Sequence, residues 1–415
     1  MSSQKKNIVL LLKNISRESG GMSSSLDLAE TLHHLGHNVV IGLTSSSIIY
    51  RATGARKCKT VIPAKNIYTV PAIFKRAIRK RNYSSAAVRV TKNIKAAIQN
   101  FLITLSGKKN FIKLLSNADI IIDAANFSGQ GIALIKEHTN GLIVKNHAGS
   151  PKAFEDFWLT DEHLLEPADS NRSRYVAYCQ QYDALLFQAP DQLEECVIRE
   201  PLLKPRCFVL PPTCQEQQVL ASRQQESPYQ PGRKAIVCVG SIQPRKAQHL
   251  AMEAFSLIAA SNPDADLHFV GGGLNSDYGM GLVKEAAQAF PQGRIYFHGH
   301  RQDYLRFMAH AELVIQTSQE EGVSRILREA MLLKRPLISF AISGTTSLLE
   351  SGKEAVLVQP GDTAALAEAI ADCLNHPSYA KELALAAYKR YLLNNSWAAY
   401  ASKIIELVDH LGSMK

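Results

Sequence analysis

The sequence predicts an α/β protein built from two doubly wound domains, and three observations carry that expectation. Short apolar runs of strand length alternate with stretches of helical period; they do so in two successive blocks; and several runs end in glycine or small polar residues. At 415 residues the chain also exceeds what one hydrophobic core ordinarily serves.

In the first block, residues 7–13 (NIVLLLK) read as a strand, followed by a polar loop ending in Gly20-Gly21. A helix follows, with Leu26, Ala29, Leu32, His33 and Leu35, stopped by Gly36-His37. Residues 39–44 (VVIGLT) are the next strand, so the segment is a βαβ unit with glycines where phosphate is commonly received. Further strands are expected at 119–123, 141–145, 184–188 and 207–210. Pro211-Pro212 closes a domain at 1–212, and residues 213–233, rich in Gln, Ser and Pro, read as a linker.

The second domain is expected over 234–392. Residues 235–239 (AIVCV) run into Gly240, a loop through Lys246 and a helix at 251–259. Residues 267–270 (LHFV) run into three glycines at 271–273, and 295–297 into Gly299. Residues 312–317 (ELVIQT), 336–340 (PLISF) and 356–358 complete the strands, the second leading to Gly344-Thr345 and the third to a helix at 364–374. The glycine triplet resembles a dinucleotide fingerprint, but no acidic residue follows at the required offset. Residues 393–415 contain a final helix.

With 46% hydrophobic and 20% charged residues the composition is that of a soluble globular protein. No run of eighteen apolar residues is present, and the start, MSSQKKNIVLLLKN, lacks a small-residue cleavage site, so it reads as a buried strand rather than a signal peptide. Seven scattered cysteines without C-x-x-C spacing point to a reducing compartment and away from zinc. The net charge of +10 is uneven: residues 51–118 hold sixteen Lys and Arg and no Asp or Glu, leaving the remainder at −6. Within that block, Val90, Ile94, Ala97, Ile98, Phe101, Leu102 and Leu105 fall on one helical stripe with Arg89, Lys92 and Lys95 mostly opposite. Such segments lie on anionic membranes or simply cover a core with basic surface. Nucleic acid fits less well, because aromatic residues for stacking are sparse.

The chemistry concentrates in Glu321-Gly322-Val323-Ser324-Arg325-Ile326-Leu327-Arg328-Glu329. Glu321 and Gly322 stand where a strand hands over to a helix, and Glu329 lies about two turns inside it. Unsatisfied N–H groups and the positive end of the helix dipole gather at that handover, which suits a phosphate. Taken alone, two glutamates so spaced also describe a solvated helix face. Lys246, with Arg245 beside it, is placed to neutralise a diphosphate, or is a solvated basic loop. His147 follows the strand 141–145, in front of Gly149; a structural hydrogen-bonding role is its alternative. Asp264 and Asp266 have chelating spacing but precede their strand, so a solvated turn is expected. His298 and His300 flank Gly299 without further ligands, and no metal site is expected.

Taken in order, these segments resemble the retaining GT-B glycosyltransferases of family four. The resemblance rests on Gly20-Gly21 and LHHLGHNVV near the start, then VGSIQPRKAQHL, LHFVGGG, IYFHGH, SQEEGVSRILREAMLLKRPLIS and VQPGDTAALAEAI. It implies two Rossmann-like domains facing a central cleft, with the last helix crossing back to the first domain. It further implies a hexosyl transfer, with retention, from a nucleotide diphosphate sugar to a glycolipid, other lipid-linked or polysaccharide acceptor. Glu321 would contact the sugar hydroxyls and Glu329 the ribose, while amides around Gly322, Val323 and Ser324 meet sugar and diphosphate. Lys246 and Arg245 would pair with the diphosphate, His147 would lie near the donor sugar, and Gly20-Gly21 would close over the phosphates. Gly240, Gly344 and Thr345 complete the donor site. No cofactor and no essential metal are implied. Three departures stand out: Ser241 where the family often has arginine, Val323-Ser324 for Phe-Gly, and no acid in the run 343–347. With the basic block, the expectation is a cytoplasmic enzyme, peripheral at the inner face of an anionic membrane and without nucleic-acid partners. A phosphorylase of the same fold, or a degenerate membrane scaffold, is the alternative.

Overall fold

The computed structural model describes residues 5–12, 20–43, 67–69, 112–125, 129–147 and 175–414. The chain divides into two compact units: Met1–Leu210 together with Ala401–Lys415, and Pro211–Tyr400.

In the first unit, β1 (Asn7–Leu12) leads to α1 (Gly20–His34), β2 (Asn38–Leu43) and β3 (Ile67–Thr69), then β4 (Ile120–Asp123), α2 (Gly129–Lys136), β5 (Leu142–Asn146), β6 (Ala184–Phe187), α3 (Pro190–Arg199) and β7 (Cys207–Val209). The strands form one parallel sheet in the order β3-β2-β1-β4-β5-β6-β7. Central strands of such a sheet are covered on both faces, which is why they read as unbroken apolar runs: Ile8 to Leu12 and Ile120 to Asp123 are buried at every position. Gly20 and Gly21, expected at the end of a loop, are the first two residues of α1. The helix ends as expected, with Gly36 at φ +91°, a left-handed turn that glycine adopts without steric cost. The amphipathic stripe at 90–105 lies outside the described residues. The basic block nevertheless supplies β3, which pairs in parallel with β2.

In the second unit, β8 (Lys234–Val239), α4 (Gln248–Ile258), β9 (Ala265–Val270), α5 (Asp277–Ala289), β10 (Ile295–Phe297), α6 (Tyr304–His310), β11 (Leu313–Gln316), α7 (Arg325–Leu333), β12 (Leu337–Phe340) and β13 (Val356–Val358) alternate. They are followed by α8 (Thr363–Asn375), α9 (Pro377–Asn394) and α10 (Trp397–Ser413). The sheet is parallel in the order β10-β9-β8-β11-β12-β13. Two cores flank it: one carries Phe255, Leu267, Phe269, Ile338 and Ile370, the other Val237, Met308, Val314, Leu327 and Met331.

Residues 213–233, expected to run as a linker, are built into this unit. Val219 is buried, Arg223 donates to the Leu332 carbonyl at 3.3 Å, and the Tyr229 hydroxyl donates to the Phe307 carbonyl at 2.7 Å. Helix α10 begins in the second unit, while its residues from Ala401 onward belong to the first. There Ile404, Val408 and Leu411 are buried, and the His410 ring lies 4.9 Å from that of Phe208.

Candidate active site

In an open parallel sheet, a crevice forms at the carboxyl ends of the two adjacent strands whose connections leave in opposite directions. In the second unit those strands are β8 and β11, which pair through Ile236 with Leu313 and Val237 with Val314. The loop after β8 carries Arg245 and Lys246; the loop after β11 carries Glu321 and Gly322. Residues far apart in sequence are therefore neighbours because of the strand order.

The two loops are laced together. Thr317 Oγ1 donates to the Lys246 carbonyl at 2.9 Å, and the Gln319 N–H donates to the Arg245 carbonyl at 3.0 Å. Arg245 donates to the Glu320 carbonyl. Lys246 is presented by a single 3-10 turn, Pro244–Lys246, ending at Ala247, which is buried at φ +47°. A left-handed alanine is strained, so the packing around it fixes the turn.

Lys246 Nζ forms an ion pair with Glu321 Oε1, which also accepts from Ser318 Oγ at 2.9 Å. Arg245 Nη1 stands 3.8 Å from the other carboxylate oxygen. Burial pushes the Lys246 ammonium down to about 8, and the Arg245 charge acts in the same sense. The carboxylate in contact with it opposes both.

Glu329 is buried on α7, where its Oε1 accepts from the Tyr304 hydroxyl at 2.7 Å and lies 3.7 Å from Arg325 Nε. The Arg325 guanidinium also sits over the Tyr304 ring, 5.6 Å from its centroid. Sequence reading missed Tyr304, Arg325 and Ser318 as partners of the glutamates. Arg325 carried a signal, since it stands four residues before Glu329 on the same helix. Tyr304 carried none, because it reaches Glu329 only through the tertiary fold.

Ser324 and Thr345 turn inward. Ser324 caps α7, its Oγ accepting from the Leu327 N–H at 3.4 Å and donating to Gln316 Oε1 at 2.5 Å. Thr345 is wholly buried, its hydroxyl 3.3 Å from that of Ser339. Both side chains are buried in the protein. Val323 is partly buried against the core beside α7. Gly344 permits a close approach: a Cβ there would stand 1.6 Å from the Gly322 carbonyl oxygen, so the turn Ser343–Thr346 packs directly on the Glu321-Gly322 backbone. The glycine triplet has a similar cause, since a Cβ on Gly271 would lie 1.8 Å from the Gly240 carbonyl oxygen. Glycine there serves packing between the loops after β8 and β9.

Asp266, expected in a solvated turn, is buried in an ion pair with Arg233, while Asp264 pairs with Lys234 at 2.9 Å. His298 Nε2 lies 3.0 Å from His268 Nδ1, within a stack of rings.

Gly20, Gly21 and His147 belong to the first unit. His147 follows β5, buried and stacked on Phe187 with centroids 4.9 Å apart and planes 1° from parallel. Burial first, then the charge of Lys145, holds its ring well below the usual histidine range, so it is neutral at pH 7. Lys145 is itself fully buried, 3.3 Å from Asp123 Oδ2, to which the Tyr182 hydroxyl donates at 2.7 Å.

Residues 233–376 match the family model described as glycosyl transferases group 1. The second unit is a glycosyl transferases group 1 domain. A stretch of 173 residues is 25% identical to glycogen synthase of Mycobacterium tuberculosis (strain CDC 1551 / Oshkosh), covering 41% of each chain. A stretch of 185 residues is 23% identical to the GDP-mannose-dependent alpha-(1-6)-phosphatidylinositol monomannoside mannosyltransferase of Mycolicibacterium smegmatis, covering 43% of this chain and 48% of that one. The chain therefore spans less than half the length of these curated relatives. In fold, it superposes on the structure of Anabaena Alr3699/HepE in complex with UDP with a TM-score of 0.70 at 16% identity, covering 97% of this chain and 100% of that one. Group 1 domain and first unit together have the GT-B fold.

Proposed function

We propose that this chain is a glycosyltransferase that takes a nucleotide diphosphate sugar as donor and moves its hexosyl unit, with retention, to a lipid-linked or polysaccharide acceptor. The observation that carries the reading is the ion pair of Lys246 with Glu321 just before α7, the helix that carries the buried Glu329, at the strand-order reversal of the group 1 domain. A cation, a set of helix N-terminal amides and two carboxylates suit, in turn, a diphosphate, its linkage to the sugar, and the hydroxyls of sugar and ribose. The relatives support the same class: one is described as GDP-mannose-dependent, and the Anabaena structure holds UDP.

On this reading the protein supplies position and charge rather than a covalent intermediate. Lys246, Arg245 and the amides at 322–324 stabilise the charge that grows on the departing diphosphate. Glu321 and Glu329 fix the sugar and ribose, while Gly20-Gly21 and the neutral His147 of the first unit serve the donor from its own sheet's carboxyl ends. Neither a cofactor nor an essential metal is required by this scheme. Residues 51–118 would bring the enzyme to the cytoplasmic face of an anionic membrane. Among the described residues no helix is long and apolar enough to cross one.

The test is a panel of UDP-, GDP- and ADP-sugars scored by thermal stabilisation, since a bound donor raises stability by mass action. One member should stabilise the wild type and be hydrolysed or transferred by it. Glu329→Ala and Lys246→Ala should fold yet lose both responses; full activity in both variants would sink the assignment. Sedimentation with neutral and anionic liposomes tests the membrane role, which equal binding to both would contradict.

A further inference from the structure

We propose that the donor's diphosphate competes with Glu321 for the Lys246 ammonium and, on winning it, releases the carboxylate to the sugar hydroxyls. The inference rests on the donor reading above and assigns an order to events within that site.

Lys246 and Glu321 are each other's counterions in the structure, and both remain partly open, their side chains 19% and 15% exposed. Arg245 lies 3.8 Å from the second oxygen of the same carboxylate, so Glu321 is held between two cations. Those two cations are the ones a diphosphate needs. A carboxylate in contact with an ammonium has committed its strongest acceptor direction, and cannot give the same oxygen fully to a sugar hydroxyl. The backbones under both residues are tied by the Thr317 and Gln319 hydrogen bonds, so the exchange needs only side-chain rotation. A diphosphate carries more charge than one carboxylate and takes the ammonium by Coulomb attraction. Ser318, whose hydroxyl donates to Glu321 at 2.9 Å, keeps the released carboxylate in place for the sugar. Sugar recognition thus follows phosphate recognition, which prevents an unphosphorylated sugar from occupying the site alone.

The exchange makes an unusual prediction: removing a residue of the site tightens nucleotide binding. The experiment is calorimetric titration of UDP, GDP and ADP into the wild type, Glu321→Gln, Lys246→Met and the double variant, each checked for an unchanged melting profile shape. For the nucleotide that the wild type accepts, Glu321→Gln should lower Kd roughly fivefold while abolishing transfer. In the Lys246→Met background the same substitution should change Kd less than about twofold, because the contact pair is already gone and only the 3.8 Å approach of Arg245 remains. Equal gains in both backgrounds would mean simple repulsion between Glu321 and phosphate, and would overturn the exchange. Unchanged or weaker binding in Glu321→Gln would overturn it too. Failure of the wild type to bind any of the three nucleotides overturns instead the donor reading on which it stands.

Discussion

Arg328 donates from Nη1 to the backbone carbonyl of Thr213, so the helix that carries Glu329 is tied to the segment by which the chain enters the second unit. Its side chain is essentially inaccessible at 1% exposure, and its Nε also donates to the Ser324 carbonyl at 3.3 Å. The neighbouring residues of that segment are held as well. Asn395 donates to the Pro212 carbonyl at 3.0 Å, Cys214 Sγ lies 3.1 Å from the Tyr391 hydroxyl, and Glu216 accepts from the Trp397 N–H at 2.8 Å. Replacing Arg328 by methionine keeps much of the volume but strands the Thr213 carbonyl. We expect a loss of about 2–3 kcal/mol, read as a lower urea midpoint at unchanged slope. An unaltered midpoint would show that the contact carries no stability.

Lys246 predicts two opposite responses to alkaline pH. The unfolded chain keeps this proton up to the ordinary lysine value of 10.5, whereas the folded chain keeps it only to about 8. Between those values the unfolded state binds more protons, so this group makes folding stability rise with pH. Affinity for a nucleoside diphosphate should fall over the same window, as the ammonium is lost. Titrations between pH 7 and 10 read both quantities, and Lys246→Arg should flatten both curves.

On the proposed donor site, Tyr304 would act through its hydrogen bond to Glu329. Tyr304→Phe removes the 2.7 Å hydrogen bond and leaves the ring in place. Affinity for the accepted ribonucleotide should drop about fivefold, the worth of roughly 1 kcal/mol. Affinity for its 2′,3′-dideoxy analogue should stay unchanged, because that analogue lacks the hydroxyls that the proposed function assigns to Glu329. Equal losses for both ligands would mean that Tyr304 merely supports the fold.

Gly344→Ala forces a methyl group onto the Gly322 carbonyl, where only 1.6 Å is available. The turn must withdraw from the Glu321 loop, at a cost of about 1–3 kcal/mol. Donor binding should fall at least tenfold while the far-ultraviolet circular dichroism is retained. Wild-type affinity would show that the two loops can separate without consequence.

In the first unit, Lys145→Met removes the 3.3 Å ion-pair partner of the buried Asp123, and should cost about 3–5 kcal/mol. Pairing it with Asp123→Asn should recover most of that loss, since an amide can still meet Tyr182 and the Ala125 N–H, which donates to Asp123 at 2.8 Å. Thermal melts of the single and double variants decide this. Additive losses would contradict the pairing.

These residues also mark where sequence reading succeeds and where it stops. Strands such as β1 and β11 were legible because burial on both faces leaves an apolar run. The glutamate spacing was legible because it sits at a strand–helix handover. Arg328 and Lys145 were not, since a charged residue reads as exposed until its partners are seen, and those partners lie in other segments. The segment 213–233 misled through its Gln, Ser and Pro content, because a few residues such as Val219 and Tyr229 suffice to dock it.

The division of the chain has a consequence for how the protein is made. The first unit includes Ala401–Lys415, whose Ile404, Val408 and Leu411 are buried. A ribosome delivers those residues only after the whole second unit. Domains ordinarily complete themselves in the order of synthesis; here the order inverts. The later unit can be finished while the earlier one still waits for the apolar face of α10, so a released chain truncated near residue 400 would carry a folded group 1 domain and an uncapped partner.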